Sequence, residues 1–233
     1  MNVLAIGAHP DDIELSCGGT LAKYSRAGNA VSMAIVCNGV AGRGDRAPEE
    51  IVRVRREGST SAAAVIGASV FHLGYPDHAV PVDEDIKIAI TEVIRQARPL
   101  VVISHAPEDC YLDHERVSQL VEECIYLAPY PEVETDSPPL TDLPLLYYMD
   151  TVTGLGFEPE EFVDVTDVFD LKRQMLGCHQ TQFEIQPSDT SDSPPQMMEV
   201  AARFRGIQCG VRYAEGFRVA LKWGRVGTHR FLP

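Results

Sequence analysis

The sequence predicts an α/β fold, a mostly parallel β-sheet covered by helices on both faces. Two patterns carry this reading. Four strand-then-helix units follow one another between Val3 and Ala128. Their strands are short continuous apolar runs, as in strands buried on both faces. A third observation points to a site. His9, Asp11, Asp12, Asn38, Asp77, Asp109 and His114 all fall just past strand ends, where such sheets bind ligands. The 233 residues suit one domain with a substantial core, so 1–233 is read as a single unit. Residues 1–128 form its sheet core, and 129–233 form a less regular part that completes the pocket.

Val3 to Ala8 is the first strand, and Pro10 turns His9-Pro10-Asp11-Asp12 into its outgoing loop. Gly18-Gly19-Thr20 marks a close-packed turn or helix start, and the helix Thr20 to Ala27 stops at Gly28-Asn29. Ala30 to Cys37 is the second strand. Val40 to Pro48, with its glycines, proline and charges, reads as a mobile loop near a site. Glu49 to Ile66 is a helix closed by Gly67, Ser69 to Leu73 is the third strand, and Gly74 to His78 is its outgoing loop. Asp83 to Gln96 is amphipathic, with Ile86, Ile90, Val93 and Ile94 on one side. Pro99 to Ser104 is the fourth strand, and His114 to Ala128 is the helix after its polar loop. Beyond lie a Pro- and acid-rich loop (Pro129 to Pro144), a strand (Leu145 to Met149) and a helix (Val168 to His179). A polar loop (Pro187 to Pro195), a helix (Met197 to Cys209) and an alternating final strand (Phe217 to Trp223) complete the chain.

A formal net charge of −14 offers little to neutralise a phosphate backbone or an anionic membrane surface, so neither nucleic acid nor membrane is expected as a partner. No apolar run is long enough to span a bilayer. Met1 to Gly7 carries no basic leader, and a cytoplasmic location is expected. Cys17, Cys37, Cys110, Cys124, Cys178 and Cys209 contain no CxxC pair, and a chain of this length needs no covalent staples, so free thiols are expected.

His9, Asp11 and Asp12 form the first cluster of chemistry-bearing side chains. Imidazole and carboxylate are good ligands for a borderline-soft divalent metal, and a turn at Pro10 lets His9 and a residue three positions on face one point. His114 is the best third ligand. Two histidines and one carboxylate leave a position open for water, whose pKa the metal lowers, and a carboxylate that is not a ligand then takes the proton. Spacing alone does not decide which of Asp11 and Asp12 is ligand and which is base. An HPDD tetrapeptide by itself is more often a turn than a metal site. The aspartate pair would also suit magnesium and a phosphate substrate, and the histidines weigh against that.

Other side chains each have two readings. Tyr111 either donates a hydrogen bond to a developing oxyanion or packs the loop. Asp113 caps its helix, orients an imidazole, or both. His72, His78 and His105 read as structural or solvent-facing. Arg53, Arg55 and Arg56 form a basic cluster that reads first as a solvated helix face with local ion pairs, and second as a contact to a sugar hydroxyl or an anionic group. Asp77 could accept hydrogen bonds from hydroxyls. His179 is a proton donor, a substrate contact or a helix cap. Gly18-Gly19 does not complete a phosphate-loop pattern.

The segment Ala8-His9-Pro10-Asp11-Asp12-Ile13-Glu14, followed by Gly18-Gly19-Thr20, resembles the signature of the LmbE-like, or PIG-L, family of zinc-dependent N-deacetylases. Ser104 to His114 resembles the family's second motif, which ends in an Asp-His pair. The likeness covers about the first 130 residues, with His179-Gln180-Thr181-Gln182 and Ala214-Glu215-Gly216-Phe217 beyond them. It implies a Rossmann-like three-layer sandwich with the site at the strand ends. It implies zinc on His9, Asp12 and His114, replaceable by iron, cobalt or nickel on the same ligands. It also implies Asp11 as general base and Glu14 as a support of the loop; Tyr111 and His179 are read as further catalytic groups from their own chemistry. Substrate contacts fall at Asp77 and at an arginine of the cluster, with Arg53 and Arg56 as the candidates. The implied reaction is removal of an N-acyl group, acetyl in the family's usual substrates, from an amino-sugar small molecule, by an assembly of three or six copies.

One departure stands out. The family often has a histidine three residues before the last ligand, and this chain has Tyr111. A neutral phenol donates a hydrogen bond but lacks the charge of an imidazolium, so the acid role passes to His179 or the leaving amine is protonated otherwise. Two other readings follow: a family member acting on a non-sugar substrate by amide hydrolysis or hydration, and a non-catalytic sugar-binding protein. The intact set His9, Asp11, Asp12 and His114 argues against the last.

Overall fold

The computed structural model describes residues 1–42, 45–181, 193–221 and 232–233. Arg43 and Gly44 of the expected mobile loop, Gln182, residues 187–192 of the polar loop, and Lys222 and Trp223 of the expected last strand lie outside the described residues.

Seven strands form one sheet: β1 (Asn2–Gly7), β2 (Ala30–Cys37), β3 (Ser69–Tyr75), β4 (Val101–Ser104), β5 (Leu145–Met149), β6 (Glu161–Asp164) and β7 (Ala214–Val219), in the order β3-β2-β1-β4-β5-β7-β6. The first five are mutually parallel, and β7 runs antiparallel to both β5 and β6. The apolar runs are continuous because both faces are covered. Val3 and Ala5 of β1 and Val101 and Ile103 of β4 enter one core. Leu4 and Ile6 of β1 and Val102 of β4 enter the other. The first core is closed by α1 (Asp12–Ser16), α2 (Gly18–Arg26), α3 (Pro48–Val65), α6 (Phe169–Gly177) and α7 (Pro194–Cys209). The second is closed by α4 (Glu84–Ala97) and α5 (Leu112–Leu127), through residues such as Ile86, Ile90, Ile94, Val117, Leu120 and Val121. This is the three-layer arrangement the sequence predicts.

The chain builds outward from β1 to β2 and β3, then returns to place β4 on the other side of β1. The loops after β1 and β4 therefore diverge and leave a crevice at the carboxyl ends of the two central strands. Both candidate metal-ligand segments fall there.

Three elements depart from the sequence reading. His9 to Asp12 does not run on as a loop, because Asp12 opens the short helix α1. The final strand occupies Ala214–Val219 instead of beginning at Phe217. Strand β6 was not foreseen: it has only four residues at the sheet edge, too few for a pattern to register. The expected helices are present with ends shifted by a few residues. Asp83 caps α4 by accepting a hydrogen bond from the Ile86 N–H at 3.1 Å. All six cysteines are free thiols, and no helix among the described residues is long and apolar enough to cross a membrane.

Candidate active site

The site begins where β1 ends. The His9 N–H donates to Asp12 Oδ2 at 2.6 Å, which folds the HPDD segment into a tight turn. Between them Asp11 is held at φ 111°, a left-handed conformation that costs a residue with a Cβ about 1–3 kcal/mol. Asp12 Oδ2 then lies 3.5 Å from His9 Nδ1 and 3.4 Å from His114 Nε2. His9, Asp12 and His114 thus offer three ligand atoms all within 4.8 Å of one another.

Each histidine is held from behind. His9 Nε2 stands 3.1 Å from Asp113 Oδ2, and His114 Nδ1 stands 3.0 Å from Asp109 Oδ2. A carboxylate on the far nitrogen of an imidazole fixes the ring and turns the near nitrogen toward a metal. The same Asp113 oxygen accepts the His78 N–H at 2.6 Å, tying the loop after β3 to the site. Asp113 Oδ1 is buried with no partner.

Two neighbouring acceptors already hold backbone N–H groups. His105 Nε2 accepts the Ala8 N–H at 2.9 Å, and its ring stacks on His114 with centroids 3.9 Å apart. Burial, followed by the His114 charge, lowers the His105 pKa to about 4, so it is neutral beneath His114. Asp77 accepts the Gly39 N–H on one oxygen at 2.8 Å and the Ala41 N–H on the other at 2.7 Å, so it shapes the loop after β2 while lining the cavity.

The electrostatics separate the two adjacent aspartates. Burial would raise Asp12, but His114, His105 and His9 outweigh it and hold its carboxyl well below the usual range. Burial and the Asp12 charge push Asp11 up to about 7, against the pull of His179 and Arg55. Burial opposes charge on His9 and His114, yet the carboxylates facing them raise the two to about 9 and about 10.

His9, Asp11, Asp12, Asp77 and His114 line a cavity of about 270 Å³, together with Leu15, Arg55, Tyr111 and Val152. Tyr111 is 50% exposed at the rim, its ring 5.0 Å from the His114 ring. His179 is not at the cavity surface. It is buried with Nε2 2.9 Å from Glu14 Oε1, and the Glu14 charge outweighs burial and raises its pKa. The pair sits behind Asp11, which feels the His179 charge.

The arginine cluster divides. Arg53 and Arg56 are exposed and do not reach the cavity, and Arg53 forks onto Glu57 at 2.8 and 2.9 Å on the outer face of α3. Arg55 is buried, lines the cavity, and its Nε has no hydrogen-bond partner. The side chain lies across Gly39, where a Cβ would stand 2.2 Å from Arg55 Cδ, so only glycine fits beneath it. The signal was present in helix phase. Ile51, Arg55, Ser59 and Ala62 share the buried face of α3, while Arg53 and Arg56 are rotated away from it.

A second buried charge cluster escaped the sequence reading. Glu215 accepts the Gly19 N–H at 2.8 Å, the Thr20 N–H at 2.7 Å, the Thr20 hydroxyl at 2.6 Å and the Lys172 ammonium. It caps α2 with a carboxylate from β7 and clamps the helices behind the site onto the sheet.

Comparison with known proteins bears directly on this arrangement. Residues 4–125 match the family model described as PIG-L, GlcNAc-PI de-N-acetylase. The diacetylchitobiose deacetylase of Thermococcus kodakarensis is 28% identical over 226 residues, covering 93% of this chain and 82% of that protein. The 4-oxalmesaconate hydratase of Pseudomonas putida is 26% identical over 189 residues, covering 76% of this chain and 72% of that protein. The solved structure of N,N'-diacetylchitobiose deacetylase from Pyrococcus horikoshii superposes with a TM-score of 0.81 at 27% identity, covering 94% of this chain and 83% of the other. With both signature segments meeting at one crevice inside the matched region, the chain belongs to the PIG-L, or LmbE-like, family.

Proposed function

We propose that the protein is a zinc-dependent N-deacetylase that releases acetate from an N-acetylated amino sugar or a small molecule containing one. The observation that carries the reading is the contrast within one turn of chain: Asp12 Oδ2 lies within 3.5 Å of ring nitrogens of His9, His105 and His114, whereas burial and the Asp12 charge push Asp11 up to about 7. The deacetylases among its relatives support the substrate class.

The donor set suits zinc. Ligands of a tetrahedral zinc with bonds of about 2.0–2.1 Å stand about 3.4 Å apart, and Asp12 Oδ2 lies 3.5 and 3.4 Å from the near nitrogens of His9 and His114. Zinc on His9, Asp12 and His114, with a fourth position open, would polarise an amide carbonyl and lower the pKa of a water.

Asp11 acts as the general base. Buried beside Asp12 and outside the proposed ligand set, its carboxylate can take a proton from the attacking water and pass it to the leaving amine. His179, paired to Glu14, steadies the charge of Asp11 from behind and does not touch the substrate. The Tyr111 hydroxyl donates to the developing oxyanion from the rim. Arg55 takes the substrate-binding role expected of Arg53 or Arg56, offering its guanidinium to sugar hydroxyls, and Asp77 accepts from them. Residues after 128 complete the pocket, a role supported by Val152 in its lining.

The test is acetate release from free N-acetylglucosamine, its chitobiose dimer and N-acetylglucosaminyl glycosides, using metal-stripped and zinc-restored protein. Release that requires zinc is the expected result. A zinc-loaded protein that releases no acetate from any of them, yet adds water to 4-oxalmesaconate, would move the assignment to hydration, the reaction named for the Pseudomonas relative.

A further inference from the structure

Cys37 closes β2, and no step of the proposed hydrolysis uses it. It is a free, buried thiol. Its Sγ, a ring nitrogen of His9 and a carboxylate oxygen of Asp77 all lie within 4.8 Å of one another. This group is distinct from His9, Asp12 and His114 and shares only the His9 ring with it. The sheet order makes the meeting. β2 lies between β1 and β3, so the ends of the three strands come out side by side. The Cys37 N–H donates to the Ala8 carbonyl at 2.7 Å, next to His9, and the Asn38 N–H donates to the Tyr75 carbonyl at 2.8 Å, two residues before Asp77.

A buried cysteine ordinarily serves as a small apolar filler. The surroundings of this sulfur are of another kind. The carboxylates of Asp113, Asp77 and Asp12 all act on it through their charge. Asp113 Oδ1 is buried there without a hydrogen-bond partner. A cation offsets such an excess of negative charge, and thiolate with imidazole and carboxylate selects zinc, cobalt or a softer ion over magnesium or calcium. Zinc bonds of about 2.3 Å to sulfur and about 2.0–2.1 Å to nitrogen place ligand atoms about 3.5 Å apart, so side-chain rotations draw this set onto one ion. Asp77 remains able to ligate: each of its oxygens accepts one backbone N–H, and a carboxylate oxygen has a further lone pair. His9 and Asp77 line the catalytic cavity, which gives the ion its way in.

We propose that Cys37, Asp77 and His9 form a second metal position, which takes a soft or borderline-soft divalent cation when metal is in excess. It is the weaker position, because it shares the His9 ring and because the thiol must release its proton to solvent as the ion binds.

The test titrates cobalt(II) into the metal-stripped native protein and follows the near-ultraviolet absorbance. Cobalt accepts the same ligand types as zinc, and only a bound thiolate gives it an intense charge-transfer band there. The expected result is no such band with the first equivalent, a band that grows as cobalt is added beyond it, and loss of the band in Cys37→Ser. Asp77→Asn keeps the thiol and should need at least about tenfold more cobalt for the same band. No band at any excess of cobalt, a band retained in Cys37→Ser, or a titration unmoved in Asp77→Asn overturns the proposal. One further arm rests on the deacetylase reading, in which Asp77 serves the substrate. There, KM for acetate release should rise as zinc passes one equivalent in the native protein and stay level in Cys37→Ser. If no acetate is released at any zinc level, that reading fails, and the cobalt band still decides the metal position.

Discussion

Two buried clusters of charge lie close together in this protein and are built on opposite principles. Around Glu215, donors and acceptors match: two backbone N–H groups, a hydroxyl and the ammonium of Lys172 close on one carboxylate, and Lys172 also donates to the Leu15 carbonyl at 2.8 Å. At the β1/β4 crevice the matching is incomplete. Asp12 faces three imidazoles, Asp11 is pushed up to about 7, and Arg55 Nε and Asp113 Oδ1 lack partners. The first cluster holds helices to the sheet. The second retains groups whose interactions the described residues do not complete. Buried charge alone does not mark a functional site; the imbalance does.

The comparison is broken most severely at Asp11. Asp11→Asn keeps the shape but cannot accept a proton, and kcat for acetate release is expected to fall about 10²–10⁴-fold in a steady-state assay. At the closed cluster, Glu215→Gln leaves the fully buried Lys172 ammonium without its counter-charge. Urea unfolding should show a loss of about 3–5 kcal/mol, because a buried charge deprived of its partner is costly. An unchanged midpoint would remove the structural role given to this cluster.

A smaller effect is expected behind the ligands. Asp109→Asn weakens the hold on His114 Nδ1, and competition with a chelator should show zinc affinity reduced about 10–100-fold. The metal-free protein adds a pH signature. His9 and His114 titrate near 9 and 10, so zinc must displace their protons. Affinity therefore rises with pH until those values are passed, by up to about a hundredfold per unit when two protons leave. The smallest changes belong to the outer face of α3. Arg53→Ala and Arg56→Ala should leave KM and stability close to native, whereas Arg55→Met should raise KM.

Much of this was legible in the chain. Continuous apolar strands gave the sheet and its two covered faces, and the His9 to Asp12 and Asp109 to His114 segments gave the crevice, because each is local and follows a strand. What escaped depended on distant partners. Nothing near Glu215 in sequence reveals that it caps a helix beginning at Gly18, nor does the short edge strand β6 announce its place beside β7. The expectation of Arg53 or Arg56 at the substrate stopped at the cluster and did not follow the phase of α3, which turns Arg55 inward. His179 was legible as a residue near the site but not as one lying behind Asp11.

The account turns on dividing labour between two adjacent aspartates, and one measurement separates them. Zinc content per chain would be determined after dialysis for the native protein, Asp11→Asn and Asp12→Asn, with acetate release followed on the same samples. The account predicts one zinc in the native protein and in Asp11→Asn, little or none in Asp12→Asn, and lost turnover in both variants. Loss of zinc from Asp11→Asn with retention in Asp12→Asn would contradict it and exchange the roles of the two residues.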